Sequence, residues 1–365
     1  MNTTLTNASW MQVGMQRVRK LTDFLPAVFF VAGFVWDALT IGRNVAALDL
    51  WIFAGYLLCA ALILYLIGRP NPIENSESKL VSVFKKHYSP RLPYFLLQFL
   101  FGSLFSALFI LYFKSSSHWL SWLMSLALAV LLVANEFLES EYKRFTLSWS
   151  MFGLCAMLLF NFALPFLLGS IHAVWFYLST LLGASLAFWL YKKTPNHLGS
   201  IKPVAAIAAL LMLAYAVDMI PPVPLVKRDV VVAFELEKAN GQYRLSQQAS
   251  PWWVFWRKTS NDLEMVAGQR VYCFSSIFAP PGLEAKLYHR WQHYNKKQGW
   301  VTQSRIGFDL SGGRYAGFRG YTYKNNLAPG DWRVSVETEN EKTITVHKFS
   351  VHHVETAPQR VVLLY

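Results

Sequence analysis

Seven apolar runs fill the first 221 residues, and nothing else in the chain restricts its fold as tightly. A run of about 20 mostly apolar residues is long enough, at 1.5 Å rise per residue, to cross a hydrocarbon core of about 30 Å. The runs are Phe24 to Ile41, Ala46 to Ile67, Leu92 to Phe113, Trp119 to Asn135, Leu147 to Leu168, Ile171 to Tyr191 and Pro203 to Ile220. Composition agrees, since charged residues make up only 15% of the chain, against about 25% in ordinary soluble domains. The expected architecture is an α-helical polytopic membrane bundle of about seven spans over residues 24–221, after an N-terminal arm over 1–23. The first run follows Arg17, Arg19 and Lys20 but lacks a small-x-small cleavage site, which fits an uncleaved signal anchor.

Lysine and arginine resist translocation, so their distribution over the connections gives an orientation. One side collects thirteen of them: three in the arm, five between Gly68 and Arg91, then Lys143, Arg144, Lys192, Lys193 and Lys202. The other side holds two, Arg43 and Lys114. The asymmetry places the N-terminus in the cytoplasm. An odd span number then places everything after Pro221 across the membrane, in the periplasm if the membrane is a bacterial inner membrane.

After Pro221, Pro222 and Pro224 the pattern changes to short apolar blocks separated by turn signals, which is β patterning. Asp229 to Glu237 and Gln242 to Gln248 flank an Asn240-Gly241 hairpin signal. Further strands are expected at Arg270 to Phe278, Ala285 to Tyr294, Val301 to Leu310, Tyr315 to Tyr323, Trp332 to Thr338 and Thr343 to His352. With no helix-period stretch among them, the reading is an all-β antiparallel sandwich. A linker and membrane-proximal hairpin region (222–264) precedes the module (265–353), and a tail (354–365) follows it.

Several stretches of this module resemble a bacterial family known as domain of unknown function 2914. They are Val271-Tyr272-Cys273-Phe274, Tyr288-His289-Arg290-Trp291, Gly313-Arg314, Gly330-Asp331-Trp332-Arg333-Val334 and Phe349-Ser350-Val351. The arginine-aromatic stretch before the last hairpin departs from that pattern, reading Tyr315-Ala316-Gly317-Phe318-Arg319-Gly320-Tyr321. The multispan part is similar in layout to a companion family, domain of unknown function 5924. Neither resemblance implies an activity.

Two groups of residues stand out as candidate sites. Asp37, His118, His172 and Asp218 all fall near the same, non-cytoplasmic ends of their runs. Ionisable groups in a membrane usually face the bundle interior and find a partner, so this polar cluster is a candidate acid-base set; its bland alternative is a set of interfacial residues. Trp252, Trp253 and Trp256 form an aromatic patch followed by Arg257 and Lys258, suited to a membrane-interface belt, a domain core or a platform for sugar rings. His289, Trp291, His293 and Trp332 complete the candidate binding residues. His289 and His293 would lie about 13 Å apart in a strand, too far to share one ion, so no metal is expected. Gln98 and Asn161 read as interhelical hydrogen bonders, Pro165 as a kink, and Asn135 with Glu136, Glu139 and Glu141 as a solvated face.

The chain lacks a P-loop, a Rossmann fingerprint, a nucleophile elbow and paired Cys-x-x-Cys, so no cofactor and no soluble catalytic machinery are expected. The net charge of +13 comes without a basic stripe or an RNA-binding motif, so nucleic acid is not an expected partner. The expected partners are the lipid bilayer and an envelope protein or polysaccharide bound by the β module; the sequence sets no homo-oligomeric state. The competing reading is a membrane enzyme or transporter acting on a lipid-linked or small polar substrate at the periplasmic face.

Overall fold

The computed structural model describes residues 34–39, 41, 47–68, 92–116, 119–194, 198–239, 242–254, 259–279, 283, 285–310, 317–356 and 358–365. The chain divides into two units, Met1–Val45 and Ala46–Tyr365. In the first, residues 34–39 are helical, and the Ile41 amide donates to the Asp37 carbonyl at 2.8 Å.

The described residues of the second unit open with six helices: α1 (Ala47–Ile67), α2 (Leu92–Ser115), α3 (Trp119–Asn135), α4 (Thr146–Leu168), α5 (Ala173–Lys193) and α6 (Lys202–Ala216), with a 3-10 turn at Glu139–Arg144 before α4. The sequence of α4 is apolar all round, and so is its environment: it touches α1, α2, α5 and α6 and is the most buried of the long helices. Gly183 of α5 lets α4 approach closely, because a Cβ there would sit 2.6 Å from the Met157 backbone.

Four helices among the described residues, α1, α2, α4 and α5, are long and apolar enough to cross a membrane. The expectation of about seven is therefore too high. Helix α3 has 17 residues, and α6 has 15, about 22 Å long, short of a hydrocarbon core. Apolar Met219 and Ile220 extend the hydropathy pattern beyond α6, but the backbone leaves the helix at Asp218, where φ is 62°. The first expected run lies mainly outside the described residues.

Several polar groups inside the helical region pair across helices. Gln98 Nε2 donates to the carbonyls of Asn135 (3.2 Å) and Glu136 (3.0 Å), and Asn135 Nδ2 returns a bond to the Gln98 carbonyl at 3.0 Å. Asn135 is thus buried, not part of a solvated face, because it caps the contact between α2 and α3 and also accepts from the Tyr142 hydroxyl. Asn161 accepts from Thr180 Oγ1 at 3.2 Å.

Eleven strands follow: β1 (Val226–Ala233), β2 (Glu235–Ala239), β3 (Gln242–Gln248), β4 (Asp262–Met265), β5 (Arg270–Phe278), β6 (Ala285–Asn295), β7 (Gly299–Leu310), β8 (Phe318–Asn325), β9 (Gly330–Thr338), β10 (Thr343–His353) and β11 (Arg360–Leu364). They form three sheets, ordered β4-β10-β9-β6-β7, β1-β5-β8 and β11-β3-β2. All pairings are antiparallel except β4 with β10. No closed barrel or sandwich is seen among the described residues. The β1-β5-β8 sheet lies in the middle: its Val271, Cys273 and Ile277 share a core with Trp291, Val334 and Val351 of the five-stranded sheet, while Phe274 and Ala233 pack on Tyr243 and Leu245 of the third.

The segment expected as one strand over Asp229 to Glu237 is two. Phe234 breaks it and turns its amide to the Ser246 carbonyl, so β1 stays in the middle sheet and β2 starts the third. Residues 354–365 carry β11, whose Val361 to Leu364 show no alternation yet pair in register with β3.

The bundle and the β region meet at one end. Helix α2 touches β1, and Ile171, between α4 and α5, packs against the main β core. The β9–β10 turn grips the end of α6: Lys342 Nζ donates to the carbonyls of Tyr215 and Ala216 (the latter 3.1 Å) and lies 4.7 Å over the Tyr215 ring. The Thr343 amide donates to Asp218 Oδ1 at 3.3 Å. These bonds satisfy C-terminal carbonyls of α6 and set a cation against its dipole.

Candidate functional surface of the β region

Strand polarity sets heights above the bundle. Strand β10 leaves the α6 contact at Thr343, and Ser350, seven residues on, is about 23 Å away at 3.3 Å per residue. Its amide donates to the Asn261 carbonyl, so β4 and the connection before it sit beside the far half of β10. That connection, residues 249–259, is closed by a bridge between Ala249 and Thr259. It carries Trp252 and Trp253, which are 88% and 61% exposed with rings perpendicular at 5.9 Å. Trp252 and Trp253 thus lie toward the end of β10 away from the α6 contact. Trp256 lies outside the described residues.

The other candidate binding residues on the β strands turn inward. His289 is fully buried. Its ring is 2.9 Å from Ser275 Oγ and 2.9 Å from Thr322 Oγ1, and Trp291 Nε1 donates to the same Thr322 oxygen at 3.1 Å. Burial without a countercharge pushes the His289 pKa down to about 3. A neutral imidazole held between two hydroxyls in the buried core is a packing device. Trp332 is buried and donates to the Ala328 carbonyl at 2.8 Å, with the half-buried His293 ring 4.8 Å away.

The polar cluster is not assembled as a set among the described residues. His118 lies outside them, and Asp37 belongs to the first unit. Asp218 holds the Thr343 amide. His172 borders a narrow cleft lined also by Asn161, Pro165, Phe176, Tyr215 and Pro222. Within it Asn161 Nδ2 has no hydrogen-bond partner, and no group of three potential metal ligands occurs among the described residues.

One surface escaped the sequence reading. The third sheet packs on the outer face of the middle sheet at Val231, Ala233 and Phe274, with its Tyr243 ring also 6.4 Å from Tyr321, and a ladder of tyrosines runs beside it. Tyr272 pairs with Tyr323 across strands β5 and β8, and Phe274 with Tyr321. The Tyr272 ring lies 5.8 Å from Tyr323 and 6.3 Å from Tyr321, both of which are exposed. Arg270 lies 4.4 Å over the Tyr323 ring, and donates from Nε to Asn325 Oδ1 at 3.1 Å and from Nη1 to the Tyr272 hydroxyl at 3.5 Å. The i, i+2 tyrosines in β8 are visible in sequence, but the register that sets Tyr272 beside them is not.

On the opposite face of the five-stranded sheet, Arg290 meets the buried Glu337 at 2.8 Å and Glu341 at 3.4 Å, while Arg305 stacks 3.7 Å over Tyr288. Desolvation pushes the Glu337 carboxyl up to about 7 despite these arginines. Because its cations are matched by acids, this cluster is a strut within the sheet.

Residues 284–351 match the family described as Protein of unknown function (DUF2914), which covers β6 to most of β10. The matched residues do not include the helical region. No curated protein matches the chain. Among solved structures, an immunoglobulin-like protein from Pseudomonas aeruginosa aligns at 7% identity over 34% of this chain and 98% of its own, with a TM-score of 0.20. A β-glucosidase from Listeria innocua aligns at 12% identity over 36% of this chain and 17% of its own, TM-score 0.19. An alkylpurine DNA glycosylase from Pseudomonas fluorescens aligns at 12% identity over 73% of this chain and 83% of its own, TM-score 0.20. At such TM-scores none of the three bears on fold or function.

Proposed function

We propose that this is a multi-pass protein of a bacterial inner membrane, with its N-terminus in the cytoplasm, holding a sandwich-like β module in the periplasm to bind an envelope polymer. The observation that carries the binding part is the exposed Trp252–Trp253 pair on a closed loop remote from the bundle. Two exposed indoles cost solvation in water unless a partner covers them, and crossed aromatic rings suit the apolar faces of sugars.

The orientation has support that does not depend on counting spans. Lys143 and Arg144 precede α4, and Lys192 and Lys193 end α5; both pairs lie at the ends of their helices opposite Ile171, which touches the β core. The β region thus sits on the charge-poor side, the side that positive-inside sorting exports. Cysteine accessibility in spheroplasts tests this: a Lys297→Cys variant, in the exposed β6–β7 turn, should react with an impermeant maleimide without lysis. Reaction only after lysis overturns the periplasmic placement.

Binding is tested by co-sedimentation of the detergent-solubilised full chain with purified sacculi. Retention that drops at least fivefold in Trp252→Ala/Trp253→Ala is expected. Retention unchanged by that variant removes the role of the tryptophans.

A second reading, a small polar substrate taken at the membrane face, has one observation in its favour, the unpartnered Asn161 amide in the His172 cleft. It requires that His172→Ala reproduce the phenotype of a deletion strain; a fully complementing His172→Ala removes it.

A further inference from the structure

We infer that the tyrosine ladder and Arg270 form a second binding surface, specific for an acidic sugar chain, one whose pyranose rings carry carboxylates. The inference rests on the envelope-polymer reading above and adds a site and a ligand class to it.

Three features lead there. First, Arg270 is fixed but not neutralised. Its three contacts among the described residues, the Asn325 amide oxygen, the Tyr272 hydroxyl and the Tyr323 ring, are all uncharged, and they engage Nε, Nη1 and the plane of the guanidinium. Nη2 has no partner among the described residues. A guanidinium placed this way still has a donor and a full charge to offer, which is how arginine recognises a carboxylate. The contrast with Arg290, closed on Glu337 and Glu341, is internal to the molecule.

Second, the rings beside Arg270 are exposed and spaced for sugars. Tyr321 and Tyr323 are 43% and 47% exposed. Their centroid separations from Tyr272, 6.3 and 5.8 Å, are close to the width of one pyranose ring. The rings are tilted at 56° and 53° to Tyr272, so they form a ribbed surface, with hydroxyls projecting for hydrogen bonds. An apolar peptide would leave those hydroxyls and the guanidinium unpaired, at a cost. A chain with apolar ring faces, hydroxyl edges and carboxylates satisfies all three.

Third, the surface is reachable. Tyr272 lies six residues along β5 from Phe278, which pairs with Val226 at the start of the module, so it stands about 20 Å from that end. A polymer can cross the ladder without meeting the bundle.

The test uses the full chain in nanodiscs of zwitterionic lipid, with polygalacturonate oligomers as the probe and dextran oligomers as the uncharged control. Saturable binding of polygalacturonate is expected, weakening at least threefold between 50 and 200 mM salt, with no saturable binding of dextran. Arg270→Gln should reduce affinity at least tenfold, Arg270→Lys should retain part of it, and Tyr323→Ala should reduce it at least fivefold. Unchanged thermal melting of each variant establishes that the fold is intact. Failure of polygalacturonate to bind, equal binding of dextran, or unchanged affinity in Arg270→Gln each overturns the inference. If sacculi are retained through Trp252 and Trp253 while polygalacturonate is ignored, the acidic-sugar site falls and the polymer-binding reading stands; if neither binds, both fall.

Discussion

The helical region and the β region solve the same burial problem with opposite solvents, and their polar interiors differ accordingly. In the helices large apolar side chains such as Leu58, Trp119 and Leu167 point outward, and the interior polar groups are neutral: Gln98, Asn135, Asn161, Thr180. In the β region the apolar residues turn in, and a charged group, Glu337, is buried with arginines around it. Lipid gives no hydrophobic force between helices, so close backbone approach and neutral hydrogen bonds hold them. Water does drive the β sheets together, and that force tolerates an ion pair inside. One chain thus shows that the choice between an amide and a carboxylate as interior polar group follows the surrounding medium.

The comparison is broken most severely in the β core. Trp291→Ala removes a fully buried indole and leaves the Thr322 hydroxyl oxygen short of a donor, so a loss of about 4 kcal/mol is expected. Denaturant melts followed by near-ultraviolet dichroism should show the β transition shifted and the helical one unmoved. If both shift together, the two regions fold as one unit. Next in size is Gly183→Val, which sets new atoms against the Met157 backbone and should cost the helices about 3 kcal/mol while sparing the β transition.

Acid sharpens the contrast. Burial lowers His289 to about 3 and His347 to about 4, so the unfolded chain, with histidines near 6.5, binds their protons first as pH falls. Their stabilisation is complete above pH 6.5 and is lost toward pH 4. Glu337, raised to about 7, has the opposite sign: its folded form keeps a proton between 4.5 and 7 that the unfolded chain releases, offsetting one histidine. The expected net loss in the β region is about 1 kcal/mol per pH unit between 6.5 and 4.5, read from urea midpoints. A flat profile would contradict the neutral assignment of His289. The smallest effect, about 1 kcal/mol, is expected for Lys342→Ala, which uncaps α6; it should also increase amide exchange at the end of that helix.

Much of this arrangement was legible in the residues, and the failures have physical causes. Arg270 to Phe278 and Gln242 to Gln248 emerge with both ends as expected, because turn residues bound a patterned block on each side. Strand β4 is four residues long and pairs in parallel, too short to show a period. Hydropathy overcounts spans because it records composition, whereas a left-handed Asp218 stops α6 within an apolar stretch. On the surface, the exposed tryptophans stood out as aromatic density. His289, Trp291 and Trp332 stood out equally, yet they face inward, since alternation does not say which side of a strand is wet. The tyrosine ladder required the β5–β8 register, which only the folded sheet supplies.

At the α6 end the β region is joined to the helices at two points, through the chain at residues 217–225 and through the Lys342 clasp. A body attached once can swivel on its tether; a body attached twice along one helix end has a fixed heading. Force applied to the sheet some 20 Å above the bundle is therefore delivered as a torque on α6, with the sheet as lever arm and the clasp as its fulcrum.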